Sequence, residues 1–101
     1  MEITLHLNGE DKTFTIPFVN TLILRKTLEI KKEIDFTKAI TDEEDLDKIA
    51  DFLVFAFKNQ FSREDVFEGL PGGELLTKMD DVMAEAMGLN KQIDEEPQGK
   101  N

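Results

Sequence analysis

The residue types that most often carry out chemistry in proteins are scarce in this chain. His6 is the one histidine in the sequence, and cysteine is missing altogether. A zinc site of the usual type needs several His or Cys ligands, and a lone histidine base needs both a nucleophile and an orienting partner. We therefore interpret His6 as a polar-face residue of a strand, and we expect neither a metal site nor a cofactor.

Two further patterns resemble ligand sites, but each lacks a required residue. Residues 69–74 (GLPGGE) are glycine-rich, yet a phosphate-binding loop needs a G-K-[ST] ending or a strand–GxGxxG–helix context. The carboxylates of residues 42–47 lack the turn glycine of the D-x-[DN]-x-[DN]-G calcium loop. Since the chain also lacks Tyr and Trp to line a catalytic pocket, the sequence favours a non-enzymatic protein.

The charge of the chain restricts its partners. Its 101 residues carry a formal net charge of −10, which would repel nucleic-acid phosphates, so we expect no nucleic-acid binding. No run of 18 apolar residues occurs, so we expect no membrane span. Residues 42–51 concentrate six carboxylates against Lys48. This acidic run is typical of a solvated helix start, but it would also suit a protein that masks a basic, nucleic-acid-binding surface.

The N-terminal segment has the alternation of a β-hairpin. Ile3, Leu5 and Leu7 alternate with polar residues, as do Phe14 and Ile16, and the turn signal Asn8-Gly9 lies between the two runs. We expect a loop somewhat longer than the tightest type. A hairpin alone is marginal in water, so other elements must cover its apolar face.

Helical spacing dominates the rest of the chain. The sequence predicts a helix from Asn20 or Thr21 to about Glu33, and a second one opened by a Thr41–Glu44 capping box and ending at Asn59 or Gln60. Ser62 and Asp65 indicate a short helix that ends at Gly69. A last helix is predicted over residues 74–87. The fold class is therefore α+β, mainly α-helical: a hairpin packed on three to four helices, as one domain over residues 1–89. Residues 90–101 are predicted to form a disordered, acidic tail.

Two groups of apolar residues are candidate contacts for a partner. Phe52 and Phe55 fall off the main apolar stripe of the second helix, which is therefore either buried on both sides or exposed for a partner. Met79, Met83 and Met87 follow an i, i+4, i+8 spacing along one flank of the last helix. Methionines at this spacing fill a core or contact varied apolar segments of a client. These five residues are our candidate client-binding residues.

The order of these elements resembles a known family. A short hairpin is followed by a helix with Arg25 and Glu29, an acid-started helix (DLDKIADFLVFAFKNQF), a short helix (SREDVFEGL), a final amphipathic helix and a polar tail. This layout, over residues 2–89, resembles the tail assembly chaperones of long-tailed (siphovirus-type) bacteriophages.

The resemblance implies a non-enzymatic role in tail morphogenesis. Members of that family bind and solubilise the tape measure protein and help to recruit tail tube protein around it. They act in the host bacterial cytoplasm and are not in the mature virion. The resemblance therefore implies a tape measure client and a tail tube partner, and the sequence leaves a homo-oligomer open. The alternative is the acidic regulatory or inhibitory protein described above, with residues 42–51 as its binding face.

Overall fold

The N-terminal hairpin is closed by the shortest kind of turn. In this computed structural model, which describes residues 1–88, β1 (Glu2–Leu7) pairs antiparallel with β2 (Glu10–Thr15). Leu7 lies opposite Glu10, so Asn8 and Gly9 alone form the turn, with φ angles of 53° and 81°. The tightest hairpin turn needs positive φ at both central residues, which Asn and Gly tolerate. The longer loop expected from the sequence is therefore wrong.

Helix α1 (Thr21–Glu33) begins and ends as the sequence predicts. The side chain of Asn20 accepts a hydrogen bond of 3.0 Å from the backbone N–H of Ile23 and so caps the helix. Lys31 and Lys32 lie in its last turn, where cations interact favourably with the helix dipole.

Helix α2 (Glu43–Ala56) differs from its prediction at both ends. Asp42, rather than Thr41, is the N-cap, and its carboxylate accepts a 2.9 Å hydrogen bond from the N–H of Glu44. The predicted Thr41–Glu44 capping box is therefore wrong by one residue. The helix also ends before Asn59, because the chain enters the left-handed region at Lys58.

The last two helices begin in different ways. Ser62 and Asp65 form the predicted reciprocal capping box at the start of α3 (Arg63–Gly69). Helix α4 (Gly72–Ala86) begins two residues earlier than predicted, because Pro71 is its N-cap and both following glycines adopt helical conformation.

The core lies where the helices meet the hairpin. Helix α3 packs on β1, while α1, α2 and α4 pack against one another. This confirms the predicted α+β architecture. The residues that join the elements in the core are Ile3, Leu5, Ile23, Ile30, Ile49, Leu53, Phe57, Val66, Met79 and Val82. Among the described residues, no helix combines the length and apolarity that a bilayer span requires. The tail predicted over residues 90–101 lies outside the described residues.

Candidate functional site

The five residues predicted to bind a client do not form one surface. Phe52, Met79 and Met83 are buried in the core, Phe55 is half-buried, and Met87 is exposed at the C-terminal cap of α4. Three of the five therefore lie where a partner cannot contact them while the domain stays folded. Phe55 and Met87 remain accessible.

Phe52 is buried because α2 is covered on two sides. Phe52 lies off the main stripe of α2 but lines the junction with α1, beside Ile30. Met79 and Met83 lie on the face of α4 that packs against α1 and α2. The sequence left open whether these residues fill the core or await a partner, and the packing of α1 decides it for all three.

Phe55 is different because it lines an open groove between the start of α1 and the end of α2. The groove has a volume of about 240 Å³ and is lined by Asn20, Leu22, Ile23, Phe55, Lys58 and Asn59. Leu22 is 56% exposed although it is a large apolar residue. An apolar groove with a polar rim is the usual form of a site that takes an apolar side chain from a partner.

One wall of the groove is an unusual helix end. The N–H of Asn59 donates to the carbonyl of Val54 (2.9 Å), and the N–H of Lys58 donates to the carbonyl of Phe55 (3.0 Å). These two bonds make a Schellman motif, in which glycine normally takes the left-handed position after the cap. Here Lys58 takes it, with φ of 60°, and Asn59 has φ of 60° as well. The motif turns the chain sharply beside Phe55 and places a cation at the rim.

A second cation lies on the other side of Phe55. The ammonium group of Lys26 lies 5.8 Å from the centroid of the Phe55 ring, within range of a cation–π interaction. The same group is 3.5 Å from the carboxylate of Glu29. Lys58 therefore lines the groove and Lys26 lies near its phenylalanine, on a protein whose net charge is −10.

The acidic run at the start of α2 is partly neutralised from within the molecule. Arg63, at the start of α3, makes two hydrogen bonds to Asp51 (2.9 and 2.7 Å) and lies 3.9 Å from Asp47. The hydrogen bond from Arg63 lowers the pKa of Asp51, and the positive charges of Arg63 and Lys26 add to this effect. The bidentate partner of Asp51 therefore comes from α3.

Sequence reasoning missed the importance of Leu22, Lys58 and Asn59. Leu22 carries a weak signal, since it is an apolar residue that lies off the stripe of Ile23, Ile30 and Ile34. Lys58 and Asn59 carry none, because the usual mark of a Schellman motif is glycine. The groove could not be predicted from the sequence, because it depends on the early end of α2.

A small α+β domain with an apolar groove is suited to binding another protein. Comparison with known proteins agrees with this class. A family model described as "Phage tail chaperone protein" matches residues 1–101, and the chain therefore belongs to that family. No curated protein and no solved structure matches the chain. Family membership indicates a non-enzymatic role among tail proteins during phage assembly in the host cell.

Proposed function

We propose that this protein binds the tape measure protein and keeps it soluble until tail tube subunits assemble around it. It does this in the cytoplasm of the host bacterium and leaves before the virion is complete. The single observation that carries the proposal is the match of the tail chaperone family model over residues 1–101.

The groove gives this role a physical basis. An elongated helical client exposes apolar stripes, which aggregate unless another protein covers them. A client side chain placed between Leu22 and Phe55 would be removed from water, while Lys26 and Lys58 would remain at the rim. The net charge of −10 would then keep the complex dispersed.

Met87 is a second contact in this proposal. It is 38% exposed and lies beyond the last turn of α4. Its flexible thioether side chain can adapt to varied apolar surfaces. Phe52, Met79 and Met83 are buried in the core and are not part of the contact surface in this proposal.

The test of the site is co-purification of the tape measure protein of the same phage with tagged variants of this chain. The substitution Phe55→Asp places a carboxylate in the apolar groove, and we expect the client's affinity to fall by roughly 30-fold, as for a central interface residue. Phe67→Asp is the matched control, because Phe67 is also partly exposed but lies on α3, outside the groove.

Circular dichroism establishes that both variants keep their helices before binding is compared. Equal recovery of client with Phe55→Asp and with the unsubstituted chain would contradict the groove as the binding site. The acidic masking protein of the sequence interpretation would instead lose its partner steeply as salt rises, because its contacts would be charge pairs.

A further inference from the structure

The outward face of α1 carries a second surface, whose chemistry differs from that of the groove. Leu28 is 48% exposed in the middle of this face. Arg25 precedes it by three residues and Lys32 follows it by four, so both cations are its neighbours on the helix surface. Leu24, one turn before Leu28, is half-buried and extends the apolar part.

This face points away from the α1–α2 groove. Glu33 lies 3.6 Å from Lys48 of α2, and Lys26 lies over Phe55, so the flank of α1 that carries these two residues faces α2. Leu28 lies about 140° around the helix from Glu33. A partner on Leu28 would therefore leave the groove at Phe55 free.

Two of the cations of this face lack acidic partners in the described part of the chain. No carboxylate of residues 1–88 lies within salt-bridge distance of Lys31 or Lys32, and Arg25 reaches only Glu29, at 4.0 Å. On a protein of net charge −10, Arg25, Lys31 and Lys32 form a local cluster of cations around the exposed Leu28. It is complementary to an acidic, apolar partner.

The face continues past the end of α1 into an open groove of about 530 Å³. Lys31, Lys32 and the half-buried Phe36 line it. Two carboxylates also line this groove, and each has a lysine nearby: Glu33 lies 3.6 Å from Lys48, and Asp35 lies 3.9 Å from Lys38. Lys31 and Lys32 are therefore the charged lining residues that have no opposite charge within salt-bridge distance in residues 1–88.

We propose that the outward face of α1 binds an acidic amphipathic helix of a tail protein. Such a helix would present apolar side chains at i, i+4 spacing to Leu28 and Phe36, and carboxylates to Arg25, Lys31 and Lys32. This proposal rests on the proposed function in one respect, because its partner is chosen from the tail proteins. The site itself is distinct from the Phe55 groove.

The test uses 20-residue peptides that tile the tape measure and tail tube proteins of the same phage, with binding to the full chain followed by fluorescence anisotropy. We expect the peptides that bind this face to be acidic and amphipathic. Replacing their Glu and Asp residues by Lys should abolish binding. If acidic peptides bind no more tightly than these charge-reversed versions, the proposal is overturned.

Charge reversal on the protein locates the site. We expect Lys32→Glu to weaken acidic peptides about tenfold at low salt, with a smaller effect at high salt, where charges are screened. Lys12→Glu is the matched control: it changes the net charge equally, from an exposed lysine on β2, and should leave binding nearly unchanged. Equal weakening by both variants would show a general charge effect and overturn the assignment.

Two further measurements distinguish this site from the Phe55 groove and from self-association of the chain. Leu28→Ser should weaken the acidic peptides at high and low salt alike, since it removes the apolar contact, whereas Phe55→Asp should not affect them. Loss of peptide binding in Phe55→Asp but not in Leu28→Ser would leave the groove as the site and overturn this one. Sedimentation of the free chain provides the last check, and we expect the chain to remain a monomer. If the chain self-associates and Lys32→Glu reverses this association, the face binds a second copy of the chain, and the proposal is overturned.

Discussion

At the residue scale, one backbone conformation is unusual for its residue type and could not be predicted from the sequence. Lys58 occupies the left-handed position of a Schellman motif that glycine usually fills, and it shapes one wall of the groove. A side chain in this region crowds the following carbonyl and costs roughly 1–2 kcal/mol. The cost is tolerated because the two hydrogen bonds of the motif and the burial of Phe57 fix the end of α2.

This strain predicts the effect of Lys58→Gly. Glycine adopts positive φ without a steric penalty, so we expect the free energy of unfolding to rise by about 1 kcal/mol, less the entropy that glycine adds to the unfolded chain. Urea denaturation measures the change. Lys58→Ala is the control, since it removes the charge and the long side chain but keeps the strain. A glycine variant no more stable than the alanine variant would refute the strained conformation.

At the scale of the residue, the sequence predicted helix caps more accurately than it predicted which side chains are buried. Asn20 and Ser62 were predicted as caps because their side chains bond to N–H groups only two or three residues away. Phe52, Met79 and Met83 could not be assigned to core or surface, because their burial depends on where α1 and α4 pack. No spacing within one helix contains that information.

At the scale of the element, the hairpin depends on α3. A two-stranded hairpin needs a covering element, and α3 supplies it by packing on β1. The two elements approach each other closely at Gly69, the last residue of α3. A Cβ atom placed there would lie 2.9 Å from Leu7 Cδ2 and 3.1 Å from both the N and O atoms of His6. From the sequence, Gly69 is interpreted only as a helix stop, and this close contact is its second role.

The Gly69 contact predicts that Gly69→Ala destabilises the fold. The new methyl group meets the backbone of His6, which cannot move without disturbing the strand pairing, so we expect a loss of about 1–3 kcal/mol. Thermal unfolding measures it. Gly73→Ala is the control, because Gly73 has open space around it in the first turn of α4, and alanine should there be neutral or stabilising. Similar stability of the two variants would argue against close packing of α3 on β1.

The hairpin strands and the helices α1 and α3 were predictable from sequence, whereas the starts of α2 and α4 and the end of α2 were not. The hairpin, α1 and α3 follow from alternation, caps and a terminal glycine. The end of α2 could not be predicted, because the residues after Ala56 continue an apolar spacing through Phe57 and Phe61 and contain no glycine. The early stop turns the chain so that Phe61 packs against Phe14 of the hairpin, with ring centroids 5.0 Å apart.

At the scale of the whole molecule, the cations without close acidic partners in residues 1–88 include two that share α1 with exposed leucines. Most of the surface charge is negative, and the carboxylates at the start of α2 include Asp47 and Asp51, held by Arg63. The cations that remain without close acidic partners in residues 1–88 include Lys31 and Lys32 on α1. Exposed leucines lie on the same helix, at Leu22 and Leu28. Our two proposed surfaces, the groove at Phe55 and the outward face of α1, both include residues of α1.

This arrangement is what the proposed role requires. A chaperone of an elongated client must cover apolar stripes without adding apolar surface of its own. It must also dissociate when tube subunits replace it. A small groove favours dissociation because it buries less area than a permanent interface. The family match establishes the tail chaperone class, and the groove at Phe55 is our proposed point of contact.

The most direct test of the central claim is the solubility of the tape measure protein when it is produced in bacteria with and without this chain. After centrifugation of the lysate, we predict that most of the tape measure protein stays in the supernatant when the chain is present and pellets when it is absent. An unrelated acidic protein of similar size and charge should not replace it, since charge alone does not cover apolar stripes. If the tape measure protein pellets equally with and without the chain, the proposed function is wrong.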